Sequence, residues 1–372
     1  MAFMVIVATP IVGRVAWYAS DQAIKPVHSQ HPDGIPVLVV KDDNGTHRVT
    51  LPATVTTRRP GVFWLTWEGG FATVGDITSS SSDRVERLLL GDRVPATGAI
   101  VRFSAKVPTD PAGLGLEFSE IMVPTELGPT PVWYVPAAAT ARTWAIVVHG
   151  QNGSRSSMLF VAPMLHQLGL PVLVSTYRND LGAPASSDGL MHLGESEWRD
   201  LEAVMRVAEE KGAHGLLLYG GSMGGQIIGQ LLRNSTLAEQ VCSVVLDAPP
   251  SSMSKVAAYA NEQHHLPSIM AWLTGKIVDW RTEIKSDQLD LLTYPPKIRP
   301  PALLLHGDGD LEVPAQLSRD FAAAAAQHNW PMEYREFHAD GHVESWNADP
   351  LAYENIVRAF IERTTRHCEP AR

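Results

Sequence analysis

From about residue 130 the chain repeats one pattern: a short continuous apolar run, then a stretch with apolar positions three or four apart. The runs are AIVVHG (145–150), VLVSTY (172–177), LLLYGG (216–221), SVVLDAP (243–249) and ALLLHG (302–307), and MEYREF (332–337) reads as the last of the series. Being apolar at consecutive rather than alternate positions, they predict central strands covered on both faces. EWRDLEAVMRVAEEKG predicts one intervening helix, with Trp198, Leu201, Met205 and Ala208 on one stripe and Gly212 as its stop. Asp349-Pro350 supplies an N-cap and a first-turn proline to a final helix whose inner face carries Ile356 and Phe360. The expected fold class over residues 130–365 is therefore α/β, a mostly parallel sheet with helices on both faces. The order breaks after Asp247, and residues 249–296 read as a polar, partly helical insertion able to form a lid.

Residues 35–125 have a different rhythm. VLVVKDDNGTHRVTL places two β-rich runs around Asn44-Gly45, a strong hairpin signal, and VFWLTWEGGFATVGDI repeats the arrangement around Gly69-Gly70. VERLLLG and AIVRFSA continue the series between clusters such as Ser79–Ser82. Short strands at close spacing predict a small all-β domain, a sandwich or barrel that covers or docks rather than catalyses. The first stretch, AFMVIVATPIVGRVAWYA (residues 2–19), is mostly apolar but holds Pro10 and Arg14. We expect a membrane anchor here, with a buried first helix as the alternative. The chain would then be membrane-associated through residues 2–19 and otherwise cytoplasmic, with sidedness left open.

Composition adds limits. A chain of 372 residues with 45% hydrophobic and 19% charged positions is an ordinary globular protein of about two domains. The formal net charge of −10 and the lack of a long basic run argue against nucleic-acid binding. The two cysteines, Cys242 in an apolar run and Cys368 in the polar tail, imply no disulfide framework.

The chemistry concentrates at LLLYGGSMGGQIIGQLL (216–232), where a buried strand passes through four glycines and one serine into a helical pattern. Gly-x-Gly-x-x-Gly and the phosphate-loop Lys-Ser/Thr pair are both missing, so a phosphate cradle is excluded. Gly220-Gly221-Ser222-Met223-Gly224 instead matches Gly-x-Ser-x-Gly, in which a sharp turn presents a nucleophile. A serine hydroxyl needs a base, and the base an acid, in the chain order Ser, acid, His. LLLHGDGDLEVP offers Asp308 and Asp310 after one strand, and FHADGHVESW offers His338 and His342 after the last.

With those parts in order, residues 130–365 resemble an α/β-hydrolase, and the small all-β domain precedes that fold. His-Gly-x-x-Asp-x-x-Val-Pro resembles the superfamily's acid loop and puts the acid on Asp310; Gly341-His342 matches its histidine; Val147–Gly153 resembles its oxyanion loop. The resemblance implies that Ser222 attacks an acyl carbonyl, His342 carries the proton, and Asp310 orients the imidazole. The N–H groups of Met223 and Gln151 would form the oxyanion hole. No metal and no cofactor is called for. Asp308 and Asp247 stay open as alternative acids and His338 as an alternative base. His149 is expected to shape its loop, and Trp198 and Trp346 to pack. The segment STYRNDLGAPASSDGLMHLGESEWRDLEAV resembles actinobacterial-type hydrolases with an N-terminal anchor and a β-rich region, usually described as esterases, lipases or serine peptidases. The expected function is cleavage of a carboxylic ester of a small-molecule or lipid-like acyl substrate through an acyl-enzyme. The alternatives are a peptidase, amidase or thioesterase using the same triad, or a catalytically silent binding protein. Pockets would be built by loops 178–195 and 249–296, where the apolar PSIMAWL (267–273) hints at a hydrophobic acyl group.

Overall fold

A computed structural model describes residues 2–28, 33–138, 141–365 and 368. After a first helix α1 (Ala2–Ile24) come seven strands: β1 (Ile35–Pro36), β2 (Val39–Asp43), β3 (Thr46–Pro52), β4 (Phe63–Trp67), β5 (Gly70–Ser80), β6 (Arg84–Leu90) and β7 (Ile100–Ser104). They form one antiparallel sheet in the order β1-β7-β4-β5-β6-β3-β2. Asn44 and Gly45, both at positive φ, turn the chain between β2 and β3. Val49, Leu51, Phe63, Leu65, Val74 and Val85 fill the core of this unit. Its centre also holds a charge. Arg87 is fully buried, donates to the carbonyls of Thr57, Arg59, Gly61 and Gly75, and stacks over Phe63 and Phe103. Desolvation lowers its pKa to about 10, so it remains cationic at neutral pH. Those bonds shape the loop before β4, which reaches the second unit.

Eight strands build the larger sheet: β8 (Ser119–Thr125), β9 (Gly128–Val135), β10 (Thr143–Val148), β11 (Val172–Val174), β12 (Gly215–Gly221), β13 (Val241–Asp247), β14 (Ala302–Gly307) and β15 (Met332–Phe337). Their order is β15-β14-β13-β12-β10-β11-β9-β8, parallel from β15 to β11 and antiparallel at the β9 and β8 edge. Strand β8 thus joins the larger sheet, although residues up to 125 read as one β-rich region; local alternation does not say which sheet a strand will pair with. Helices α2 (Ala162–Gln167), α3 (Trp198–Glu210), α4 (Met223–Asn234), α7 (Ala315–Gln327), α8 (Ser345–Ala348) and α9 (Pro350–Thr365) complete the α/β layers, while α5 (Met253–Gln263) and α6 (Ile269–Thr282) belong to the insertion. None of the residues of α5 is buried, as suits a lid.

One expectation needs correction. Cys242, at the start of β13, is disulfide-bonded to Cys368, across 126 residues. One cysteine in a strand and one in a tail carry no local sign of their pairing. As for the anchor expected in residues 2–19, among the described residues no helix is long and apolar enough to cross a membrane. In α1, Ala16, Ser20 and Ile24 repeat every four residues and are buried, with Ile24 in the main core. The helix packs along α6, where Trp17 meets Trp280 at 6.1 Å and Arg281 bonds the Ser20 hydroxyl and the Asp21 carboxylate, each at 2.7 Å.

Candidate active site

Ser222 stands between β12 and α4 with φ 51° and ψ −126°, a strained conformation for a residue with a side chain. The turn is possible because Gly221 and Gly224, close to it in the chain, lack Cβ atoms. A Cβ on Gly224 would collide with the Val148 carbonyl oxygen and lie 2.8 Å from that of His149. The backbone N–H of Ser222 donates to the Asp247 carbonyl at 2.8 Å, which fixes the turn against β13.

His342, from the loop after β15, approaches Ser222 Oγ with Nε2 at 2.7 Å and Asp310 Oδ2 with Nδ1 at 2.6 Å. Asp310 comes from the loop after β14. Its other oxygen accepts the N–H groups of Glu312 and Val313 at 2.8 and 3.0 Å, and buried His306 lies 3.2 Å from Oδ2. Burial raises the Asp310 pKa, but the hydrogen bonds from His306 and His342 outweigh it and hold the carboxyl well below the ordinary range. For His342, burial favours the neutral ring, yet the Asp310 carboxylate holds its pKa above the ordinary histidine value.

The alternatives lie elsewhere. Asp308 pairs with exposed His338 at 3.0 Å, outside the Ser222 arrangement. Asp247 is fully buried and accepts the Tyr353 hydroxyl at 2.7 Å; that hydroxyl is 2.5 Å from the Tyr219 hydroxyl. Desolvation raises the Asp247 pKa to about 6. His149 is buried in its loop, 2.8 Å from Asp180 and beside the Tyr177 ring. His306 turns to the Ser318 hydroxyl and the Val313 carbonyl, and among the described residues no group of three or more His, Cys, Asp or Glu could hold a metal ion. Trp346 stacks on Trp64 of the small unit at 5.5 Å.

A cleft of about 610 Å³ surrounds Ser222 and His342, and both Gln151 and Met223 line it. The loop passes close: a Cβ on Gly150 would be 2.7 Å from that of Ser222. Gln151 also ties its loop to the first helix. Its side chain donates to the Gln22 and Ala23 carbonyls at the end of α1, while Asn152 Oδ1 accepts the Val27 N–H at 2.8 Å. The end of α1 thereby braces the loop that carries Gln151. The small unit also enters the cleft, through Thr56, Arg59, Phe63, Phe103 and Lys106. Arg59 bonds Glu344 at 2.7 Å, two residues after His342, and Asn347 bonds the Val62 and Ala105 carbonyls. Sequence patterns carried no sign of these contributions, because each joins segments far apart in the chain.

A family model described as the prolyl oligopeptidase family matches residues 164–367. The chain belongs to this family. A second model, a domain of unknown function (DUF8805), matches residues 36–104, the extent of the small sheet. "Uncharacterized protein Rv2307c" of Mycobacterium tuberculosis (strain ATCC 25618 / H37Rv) is 27% identical over 238 residues, covering 62% of this chain and 74% of that protein. Among solved structures, the Pyrococcus furiosus esterase Pf2001 is similar with a TM-score of 0.55 and 21% identity, over 69% of this chain and 95% of that one. Pyrococcus horikoshii acylaminoacyl peptidase gives a TM-score of 0.53 and 17% identity, over 91% of this chain and 57% of that one. At these identities the likeness to solved structures is one of fold. Together with the family membership it makes the chain an α/β-hydrolase-fold member of the serine hydrolases. The family spans esterases and peptidases, so the bond cleaved has to be argued from the site.

Proposed function

We propose that this protein hydrolyses a carboxylic ester through an acyl-enzyme on Ser222. The observation that carries the acyl-enzyme on Ser222 is the hydrogen-bonded line from Asp310 through His342 to Ser222, with steps of 2.6 and 2.7 Å. Ser222 Oγ attacks the acyl carbon as its proton passes to His342 Nε2, and the oxygen becomes an oxyanion. When the carbonyl re-forms, the bond to the alcohol oxygen breaks and His342 protonates the leaving alcohol. Water then repeats the sequence: its proton goes to His342, its oxygen to the acyl carbon, and Ser222 recovers the proton as the acid departs. Asp310 holds the ring in the tautomer with a proton on Nδ1 and stabilises the cation. The backbone N–H groups of Met223 and Gln151 stabilise the oxyanion, which typically lowers the barrier by about 3–4 kcal/mol per donor.

The test is labelling by a fluorophosphonate probe, alongside Ser222→Ala and His342→Ala. Wild-type labelling that is lost in both variants is expected; a folded wild-type protein that does not label would favour a binding role. A p-nitrophenyl ester and a p-nitroanilide of the same acyl group then separate the bonds. Faster turnover of the anilide would move the assignment to a peptidase or amidase.

A further inference from the structure

Leu193 and Met253 line the cleft around Ser222, and the same two residues line a second cavity of about 240 Å³ under the insertion. Its remaining apolar walls come from three helices: Ala23 of α1, Ala257 of α5, and Ala271, Trp272, Gly275 and Val278 of α6. Positions 271 and 275 are one helical turn apart and carry the two smallest residues, so α6 presents a shallow face where larger side chains would close the space. Lys276 and Asp287, 3.4 Å apart, stand at the exposed rim. An apolar space beside a reacting serine gains most from an apolar occupant, since burying hydrocarbon there removes it from water without leaving a polar group unpaired.

We propose that this cavity takes the hydrocarbon tail of the acyl group, which passes between Leu193 and Met253 from the carbonyl at Ser222. The proposal rests on the ester-hydrolase reading and names its substrate class: medium-chain acyl esters. An apolar cavity of about 150 Å³ holds a six-carbon ring, and on that scale this one holds a chain of roughly eight to ten carbons. Each methylene that enters can raise kcat/KM by at most about fourfold. The apolar stretch 267–273 is part of this wall, because α6 carries most of it.

The test is a series of p-nitrophenyl esters from acetate to dodecanoate, run on the wild type, Gly275→Leu and Ala257→Leu. A Cβ at Gly275 meets nothing within 4 Å, so a side chain there enters the space without displacing backbone. The wild type is expected to prefer octanoate or decanoate to acetate by at least tenfold. Each variant, acting from a different helix, should lower that ratio at least tenfold and move the optimum to shorter chains. A flat wild-type profile, or an acetate preference, overturns the pocket even if neither variant folds. Variants that fold and keep the wild-type profile overturn it equally. A wild type that neither labels with fluorophosphonate nor hydrolyses any ester instead removes the ester-hydrolase reading, and the pocket falls with it.

Discussion

Replacing Asp310 by asparagine tests the relay at one atom. Asp310 Oδ1 accepts two backbone N–H groups, from Glu312 and Val313, so the amide oxygen of asparagine has to occupy that position. The NH₂ then takes the place of Oδ2, facing His342 Nδ1 at 2.6 Å and His306 Nε2 at 3.2 Å. A donor now meets His342 where the carboxylate accepted. The ring responds by moving its proton to Nε2, the atom that the proposed mechanism needs to receive the proton of Ser222. The fold keeps its shape while the base is in the wrong tautomer, and the expected loss is roughly 10⁴-fold in kcat, or about 5.5 kcal/mol of barrier. The pH profile supplies a second readout. In the proposed mechanism the neutral ring is the active form, and Asp310 holds the His342 pKa above its ordinary value, so wild-type kcat/KM should rise with pH through that raised pKa. Without the carboxylate the midpoint should move to lower pH. Steady-state ester hydrolysis from pH 5 to 9 measures both, with a urea melt as the control for folding. A loss below tenfold, or an unmoved midpoint, would refute the role given to Asp310.

Three further outcomes follow from the geometry. Gly224→Ala places a methyl group against the Val148 carbonyl and should cost about 2–3 kcal/mol in urea unfolding and lower activity, whereas Gly13→Ala, with nothing within 4 Å, should raise stability by up to about 1 kcal/mol. Asp247 has a folded pKa of about 6 against 3.8 unfolded, so the folded state binds the proton more tightly and the wild type loses stability as pH rises through that window. Relative to wild type, Asp247→Asn should therefore gain up to about 3 kcal/mol between pH 4 and pH 8 in paired urea melts, and no change in the gap would contradict the buried charge. Asn152 sits at φ 52° and accepts the Val27 N–H. Asn152→Gly keeps that conformation and removes the acceptor, so kcat should fall roughly tenfold with little change in KM; Asn152→Asp should restore it, and equal rates in all three would remove the brace.

Much of this protein is written locally. The apolar runs at 145–150, 216–221 and 302–307 become β10, β12 and β14, and the stripe of Trp198, Leu201, Met205 and Ala208 becomes α3, because the period of burial is a property of a few neighbouring residues. The residues proposed for catalysis, Ser222, Asp310 and His342, come within hydrogen-bond reach of one another for a similar reason: each sits in a short loop after a strand, and a parallel sheet delivers all such loops to the same edge. What no local pattern records is which distant segments meet. The turn of α1 onto the Gln151 loop, the entry of Arg59 beside Glu344, the tie from Cys242 to Cys368 and the Asp247–Tyr353–Tyr219 line all depend on sheet order and domain docking. The first helix shows the same limit: its hydrophobicity belongs to the sequence, but that Ala16, Ser20 and Ile24 are buried while Trp17 meets Trp280 of α6 is decided by what the tertiary structure puts beside them.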